Sequence, residues 1–243
     1  MSQSSSIGVV AAGLLIAAGT ATGGWFIGDG FYEGRKTTRY VTVKGLSERV
    51  VRADMAEWPL QISSASNDLS TAQRQIESDL NGVIVFLTDA GLPAADIIRQ
   101  RLQVVDQLAE RYNNANIRDN RYIITQTILV RSDQVDLVQT LSRRTSELVK
   151  NGIVIQDNMG PTFTFTQLSG IKPEMVAEAT KDARASAERF AEDSNSEVGS
   201  ILKASQGYFS INPLIQSNPY ASGNEQIDKK VRVVTTIDFS LED

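Results

Sequence analysis

The 243-residue chain contains no histidine and no cysteine. Without histidine there is no Ser-His-Asp or Cys-His arrangement and no H-E-x-x-H zinc site. The side chain best suited to moving protons near neutral pH is also missing. Without cysteine there are no disulfides, no thiolate nucleophile and no thiolate metal site. The redox compartment stays open, because a disulfide-free chain suits any of them. A basic surplus is lacking too: Lys and Arg number 24 against 29 Asp and Glu, a net charge of −5. Binding along a phosphate backbone would need the opposite balance, so no nucleic-acid partner is expected. Carboxylate pairs, Lys and Tyr are what remain for catalysis. The expectation is a non-enzyme with no catalytic residue, no cofactor and no metal.

Charge is absent in one place above all. Ile7–Ile27 is an uncharged, apolar run. As a helix rising ~1.5 Å per residue it reaches about 31 Å, enough for a hydrocarbon core of ~30 Å. It reads as a membrane anchor that places the chain in a lipid bilayer. A secretory signal peptide is the other reading. Against it, Met1–Ser6 carries no Lys or Arg and the apolar run exceeds a usual signal core; small residues near Ala21 and Gly23 would suit a peptidase. Gly19, Gly23, Gly24 and Gly28 form two G-x-x-x-G spacings. These let helix backbones approach closely in lipid, although glycine is common in membrane helices generally. Arg35, Lys36 and Arg39 follow the anchor. By charge alone they would hold the body in the cytoplasm, yet long domains translocate largely regardless of charge.

Beyond a tail (1–6), the anchor (7–28) and a linker (29–39), about 205 residues remain, enough for one substantial domain over 40–243. Val41 and Val43 read as a strand, with a turn near Gly45 and a second strand beyond it. Trp58, Leu60 and Ile62 alternate, and Pro59 among them argues for an edge strand or a bulge. Leu69, Ala72, Ile76, Leu80, Val83, Leu87 and Ala90 form one helical stripe, capped by Asn67 or Asp68 and ended by Gly91. Ile84–Phe86 widen it, for core or for a subunit contact. Ile97–Asp106 reads as a strand. Tyr122–Val130, β-branched on both faces, reads as a central strand covered on both sides. A second helix runs from Ser132 or Asp133 through Val149, and 153–155 and 162–167 are strand-like. A third helix opens at Pro173 and runs to about Asp193. Its small-residue face is Ala177, Ala179, Ala183, Ala187 and Ala191, with Val176 and Phe190. Ile201–Ile211 and Val231–Leu241 are the last strands. Between them Asn212–Lys230 is a long loop, the kind that is either functional or disordered. The fold class is α+β: an antiparallel or mixed sheet with three helices packed mainly on one face, preceded by one N-terminal transmembrane helix.

Few residues invite chemistry. Ser200-Ile-Leu-Lys203 fits S-x-x-K, but that motif needs Ser and Lys one helical turn apart, and here they begin a strand. Glu192 with Asp193 and Glu242 with Asp243 sit at a helix end and the chain terminus, where solvation is expected. Glu174, Glu178, Asp182 and Glu188 alternate with Lys181, Arg184 and Arg189, the pattern of a solvent face or a subunit contact. Tyr208, Phe209 and Tyr220, beside the long loop, form the one plausible platform for a ligand or partner, with ordinary packing as the alternative.

The order of these elements resembles the SIMPL domain family of bacterial envelope proteins. Val43-Lys-Gly45-Leu-Ser-Glu-Arg-Val-Val-Arg-Ala-Asp54-Met-Ala56 is similar to its opening strand pair. Ala90-Gly91-Leu92 followed by Asp96-Ile97 resembles its junction after the long helix. Ala179, Ala183, Ala187 and Ala191 before Gly199 resemble its Ala-rich last helix. The likeness covers roughly Tyr40–Leu241 and departs at Trp58-Pro59-Leu60 and at Glu225–Lys230. The resemblance implies a periplasmic or inner-membrane-attached protein without an assigned catalytic site, linked to envelope stress. In some members it implies large ring or channel-like homo-oligomers. The other reading is a periplasmic ligand- or partner-binding module with loop 212–230 as its lid.

Overall fold

The computed structural model describes residues 17–25, 39–109, 120–156, 160–215 and 223–242. A helical segment, α1 (17–25), is followed by β1 (Tyr40–Arg52), β2 (Met55–Ser66), α2 (Leu69–Asp89), β3 (Ile97–Arg99) and β4 (Gln103–Asp106). Next come β5 (Tyr122–Ser132), α3 (Val135–Arg143), α4 (Ser146–Lys150), β6 (Ile155–Gln156) and β7 (Thr162–Thr164). The chain ends with α5 (Leu168–Asp193), β8 (Glu197–Gln206), β9 (Ser210–Pro213) and β10 (Asp228–Glu242). The class is α+β, with two sheets where one was expected. One has the order β1-β10-β8 with β9 also on β10. The other has the order β3-β5-β2-β6 with β4 on β5 and β7 on β2. β9 pairs antiparallel with β10, and the strand pairs of the second sheet are all antiparallel. The described residues form two compact units, a smaller one of 17–25, 39–43, 184–204 and 237–242 and a larger one made from 44–183 and 205–236.

In the larger unit, α2, α3 and α4 cover one face of the six-stranded sheet. Ala72, Ile76, Leu80, Val83 and Leu87 of α2 meet Trp58, Leu60 and Ile62 of β2 and Ile124, Ile128 and Val130 of β5. Asp68 caps α2 by accepting from the Thr71 N–H, and Gly91, at φ +98, turns the chain away. Leu69 is exposed, so the stripe starts at Ala72. Ile84 and Phe86 pack against this core while Val85 stays exposed. β5 is central, as its β-branched sequence suggests, but only its even positions from Ile124 to Ser132 are buried; the other face is half-exposed. The expected second helix is broken at 144–145 into α3 and α4.

Three other expectations are corrected. No turn occurs at Gly45: β1 runs straight through it. A Cβ there would lie 1.8 Å from the Ala179 carbonyl oxygen, so glycine is required by the approach of α5. Pro59 lies in an interior strand, directly opposite Leu129 of β5. Its other side faces the gap between β7, paired at 55–57, and β6, paired at 61–62, where no described strand asks for an N–H. The last helix opens at Leu168, with Asp54 accepting from the N–H groups of Thr166 and Gln167, and Pro173 stands inside it. In the larger unit Met175 and Ala179 of α5 pack on Val231 and Val233 of β10. In the smaller unit Ala187, Ala191, Ile237 and Phe239 are buried and the Arg184 guanidinium lies 5.0 Å over the Phe239 ring. Ala177 and Phe190 do not join the small-residue face; both are exposed.

Candidate functional site

The anchor expectation falls mostly outside the described residues. Within 17–25 the chain is helical, and Thr22 returns its hydroxyl proton to the Ala18 carbonyl at 2.9 Å. Gly19, Gly23 and Gly24 have no neighbour within 4 Å of an added Cβ, and Gly28 lies outside the described residues. Among the described residues no helix is long and apolar enough to cross a membrane.

Of the aromatic platform, Tyr208 and Phe209 are among the described residues, in unlike surroundings. Tyr208 is fully exposed. Phe209 packs beside Met175 and Val231, with the Lys172 ammonium 5.7 Å from its ring centre. Tyr220 lies outside the described residues. Of the three, the structure thus shows Tyr208 facing solvent and Phe209 within the packing on Val231.

The foot of the long loop is built instead by residues with no aromatic character. Gly223, at φ +64, packs so closely that a Cβ would sit 2.3 Å from the Pro213 ring. The Lys229 ammonium, on a residue only 3% exposed, donates to the Gly223 carbonyl at 3.1 Å, and burial pushes its pKa down. Gln226 acts as a substitute peptide: its oxygen accepts from the Ile215 N–H at 3.1 Å and its amide donates to the Ile215 carbonyl at 2.7 Å. Asn224 and Ile227 carbonyls accept from the N–H groups of Phe163 and Ala53. This foot borders an open cavity of about 420 Å³ lined by Arg52, Asp136, Gln139, Leu214, Ile215 and 225–228. The guanidinium of Arg52 is paired with Asp136. The buried lysine was legible in principle: Lys229 continues the alternation of Val231 and Val233 backwards by one step. Nothing in the sequence marks Gln226.

The charged face of α5 also changes meaning. In the larger unit Glu178 accepts from the Ser47 hydroxyl and the Arg49 guanidinium, both at 2.7 Å, and these two donors hold its carboxyl below the usual range. Glu174 pairs with Arg49 at 2.8 Å, and Asp182 accepts from the Leu46 N–H at 2.9 Å. These acids bind β1 while they stay exposed to solvent. The other moved carboxyls are equally local. Asp68 is held down at about 2 by the hydroxyls of Ser70 and Thr71 and by the Thr71 N–H. Asp106 is lowered by Arg121, and Glu147 by Arg144.

Ser200 and Lys203 lie on β8, as the strand reading requires, and both are exposed. That strand has the least covered surface of the fold's long strands. From Ser200 to Gln206 every residue is exposed, Ile201 at 45% and Leu202 at 48% among them. It ends the strand order β1-β10-β8, so among the described residues its outer backbone edge meets no strand. Glu197 and Lys203 are in no ion pair among the described residues.

Two antiparallel sheets, helices on one face of the larger and an Ala-lined helix with the smaller define an α+β protein whose smaller sheet, among the described residues, ends on β1 at one edge and on β8 at the other. A family model matches residues 41–239, that of SIMPL, described as a protein of unknown function (DUF541), and the chain belongs to this family. No curated protein matches the chain.

Proposed function

We propose that this SIMPL protein is a non-enzymatic, membrane-anchored component of the bacterial envelope whose bodies self-associate, with the anchors of residues 7–28 gathered in the inner membrane and the body in the periplasm. The observation that carries the reading is the uncovered apolar surface of the smaller unit: Ile201 and Leu202 on β8 and Phe190 on α5, at 45%, 48% and 60% exposure. A bare edge strand with apolar side chains on both faces invites pairing with another chain, and soluble monomers blunt such edges. The non-enzymatic part is supported by the carboxylates, whose lowered pKa values each trace to local partners, the cap hydroxyls and N–H for Asp68, the Ser47 hydroxyl with Arg49 for Glu178 and a guanidinium for Asp106 and Glu147, and not to a shared cleft. A role in envelope stress, and a ring or channel-like form of the assembly, belong to the same reading through the family. The test is the mass of the full-length protein in mild detergent by light scattering or mass photometry. A multiple of 26.5 kDa supports the reading and a single-copy mass at micromolar concentration overturns it.

A second reading is favoured by the cavity at the foot of the loop, as a binding module for a small polar ligand. It places the ligand against Leu214 and Ile215 and the groups of 225–228, away from Tyr208. Gln226→Ala would then weaken binding of a small polar ligand, whereas the assembly reading expects that substitution to leave both ligand binding and particle mass unchanged.

A further inference from the structure

We infer that β8 is a mating edge for the β8 of a second copy, paired antiparallel about a two-fold axis that passes through Ser200. The inference rests on the self-association proposed above and names the surface and register that carry it. The starting point is the strand itself. β8 is ten residues long, lies at the end of its sheet, and is exposed on both faces from Ser200 onward. Its unpaired N–H and C=O groups are a template for another strand. Such an edge is usually protected by a lysine, and Lys203 alone would do so here. The partner for that lysine is written into the same strand.

Two copies of one strand meeting antiparallel about an axis perpendicular to the sheet keep each residue on its own face. Opposed residues must therefore be an even number of positions apart, and only a few registers are open. With Ile201 at the axis, Lys203 faces the partner's Gly199. With Leu202 at the axis, Lys203 faces the partner's Ile201 and its charge has no answer. With Ser200 at the axis, Lys203 faces the partner's Glu197 on one side of the sheet, and Leu202 faces the partner's Val198 on the other. By symmetry each pair occurs twice. Opposite charges and apolar pairs placed directly across an antiparallel ladder each stabilise it, and like charges there destabilise it. The Ser200 register matches both kinds at once, which makes Glu197 and Lys203 a register key where a lone lysine would be a block. The pairing joins two four-stranded sheets edge to edge. It closes at two copies, so any larger ring needs a second surface.

The absence of cysteine from the whole chain makes the test clean. Residues opposed across an antiparallel ladder have Cα atoms ~4.5 or ~5.5 Å apart, within the range a disulfide spans. Ser200→Cys therefore sits opposite itself in the dimer and should oxidise to a covalent dimer in the full-length protein in detergent. Leu202→Cys on one copy lies four residues along from Leu202→Cys on the other, about 14 Å at ~3.4 Å per residue, and should cross-link at least about tenfold more slowly. Lys203→Glu should halve the particle mass, and Glu197→Lys combined with Lys203→Glu should restore it. All these side chains are exposed, and an unchanged far-ultraviolet circular dichroism spectrum checks that the variants fold. Equal cross-linking at 200 and 202, or failure of the charge exchange to rescue, overturns the register. A multimeric wild type with no cross-link at Ser200→Cys overturns the edge pairing and leaves self-association standing, whereas a single-copy wild-type mass removes the reading beneath it.

Discussion

The Thr235 hydroxyl is buried, on a residue 3% exposed, and it has no hydrogen-bond partner among the described residues. It lies in the run Val231, Val233, Thr235, all buried on one face of β10, so a methyl in place of the hydroxyl fits both the pattern and the shape. An unanswered buried hydroxyl costs free energy that folding must supply, whereas the isosteric apolar side chain does not. Thr235→Val should therefore raise stability by about 1 kcal/mol, read as a higher urea midpoint with an unchanged slope. A lower midpoint would mean the hydroxyl has found a partner. Asp79 shows the contrasting solution. It is 7% exposed on the core side of α2, and the Gln75 amide, one turn earlier, donates to it at 2.8 Å. Lys229 is another buried polar residue with a partner, its ammonium donating to the carbonyl of Gly223.

At the scale of the elements, glycine and proline separate what the sequence could specify from what it could not. Gly45 looks like a turn because a local pattern cannot distinguish a glycine that bends the chain from one that lets another element approach. The clash of a Cβ with the Ala179 oxygen at 1.8 Å and the Ala183 nitrogen at 2.5 Å comes from a helix more than a hundred residues later. Gly45→Ala must displace backbone and should cost about 3 kcal/mol, the upper part of the range for overpacking. Gly170, in the first turn of α5, has nothing within 4 Å of an added Cβ. There Gly170→Ala should stabilise by about 0.5–1 kcal/mol through the unfolded chain. Urea midpoints of the two variants should move in opposite directions; if both fall, the space at Gly170 is not open. The elements themselves were largely readable: the α2 stripe, its Asp68 cap, the Gly91 exit and the central place of β5 all follow from period and caps. The division into two sheets was not, because strand order depends on pairings between distant segments such as β2 with β6 and β7. Pro59 misled for the same reason, since only the neighbours of β2 show that its missing N–H faces a gap. Of the candidate site, the exposed β8 edge was hidden too: a strand's sequence shows its faces, but whether a neighbour lies alongside is a property of the sheet.

For the whole molecule, the distribution of moved carboxyls sets how stability responds to acid. Asp68, Asp106, Glu147 and Glu178 all have pKa values below their ordinary 3.8 or 4.5, through donors in Ser70 and Thr71, in Arg121, in Arg144, and in Ser47 and Arg49. A carboxyl held low in the folded state binds its proton more readily in the unfolded chain. Its stabilising contribution is therefore complete above the ordinary carboxyl value and is lost as pH falls through the folded value, about 2 for Asp68. The guanidinium partners keep their charge throughout this window, so protonation of the acids alone breaks the pairs. Stability should be level from neutral pH to near 4.5 and fall from there toward 2. Because the four groups face solvent, added salt should shrink the drop contributed by the three arginine-paired acids more than that of Asp68, whose partners are neutral hydroxyls and an N–H. A quadruple variant, Asp68→Asn with Asp106→Asn, Glu147→Gln and Glu178→Gln, keeps the hydrogen-bond acceptors and removes the titration. Its urea midpoint should start lower at pH 7 and decline less steeply between pH 5 and 2 than that of the parent chain. Parallel curves would show that acid acts on this protein through other carboxyls, and that the ion pairs tying α5 to β1 within the larger unit are not what fails first.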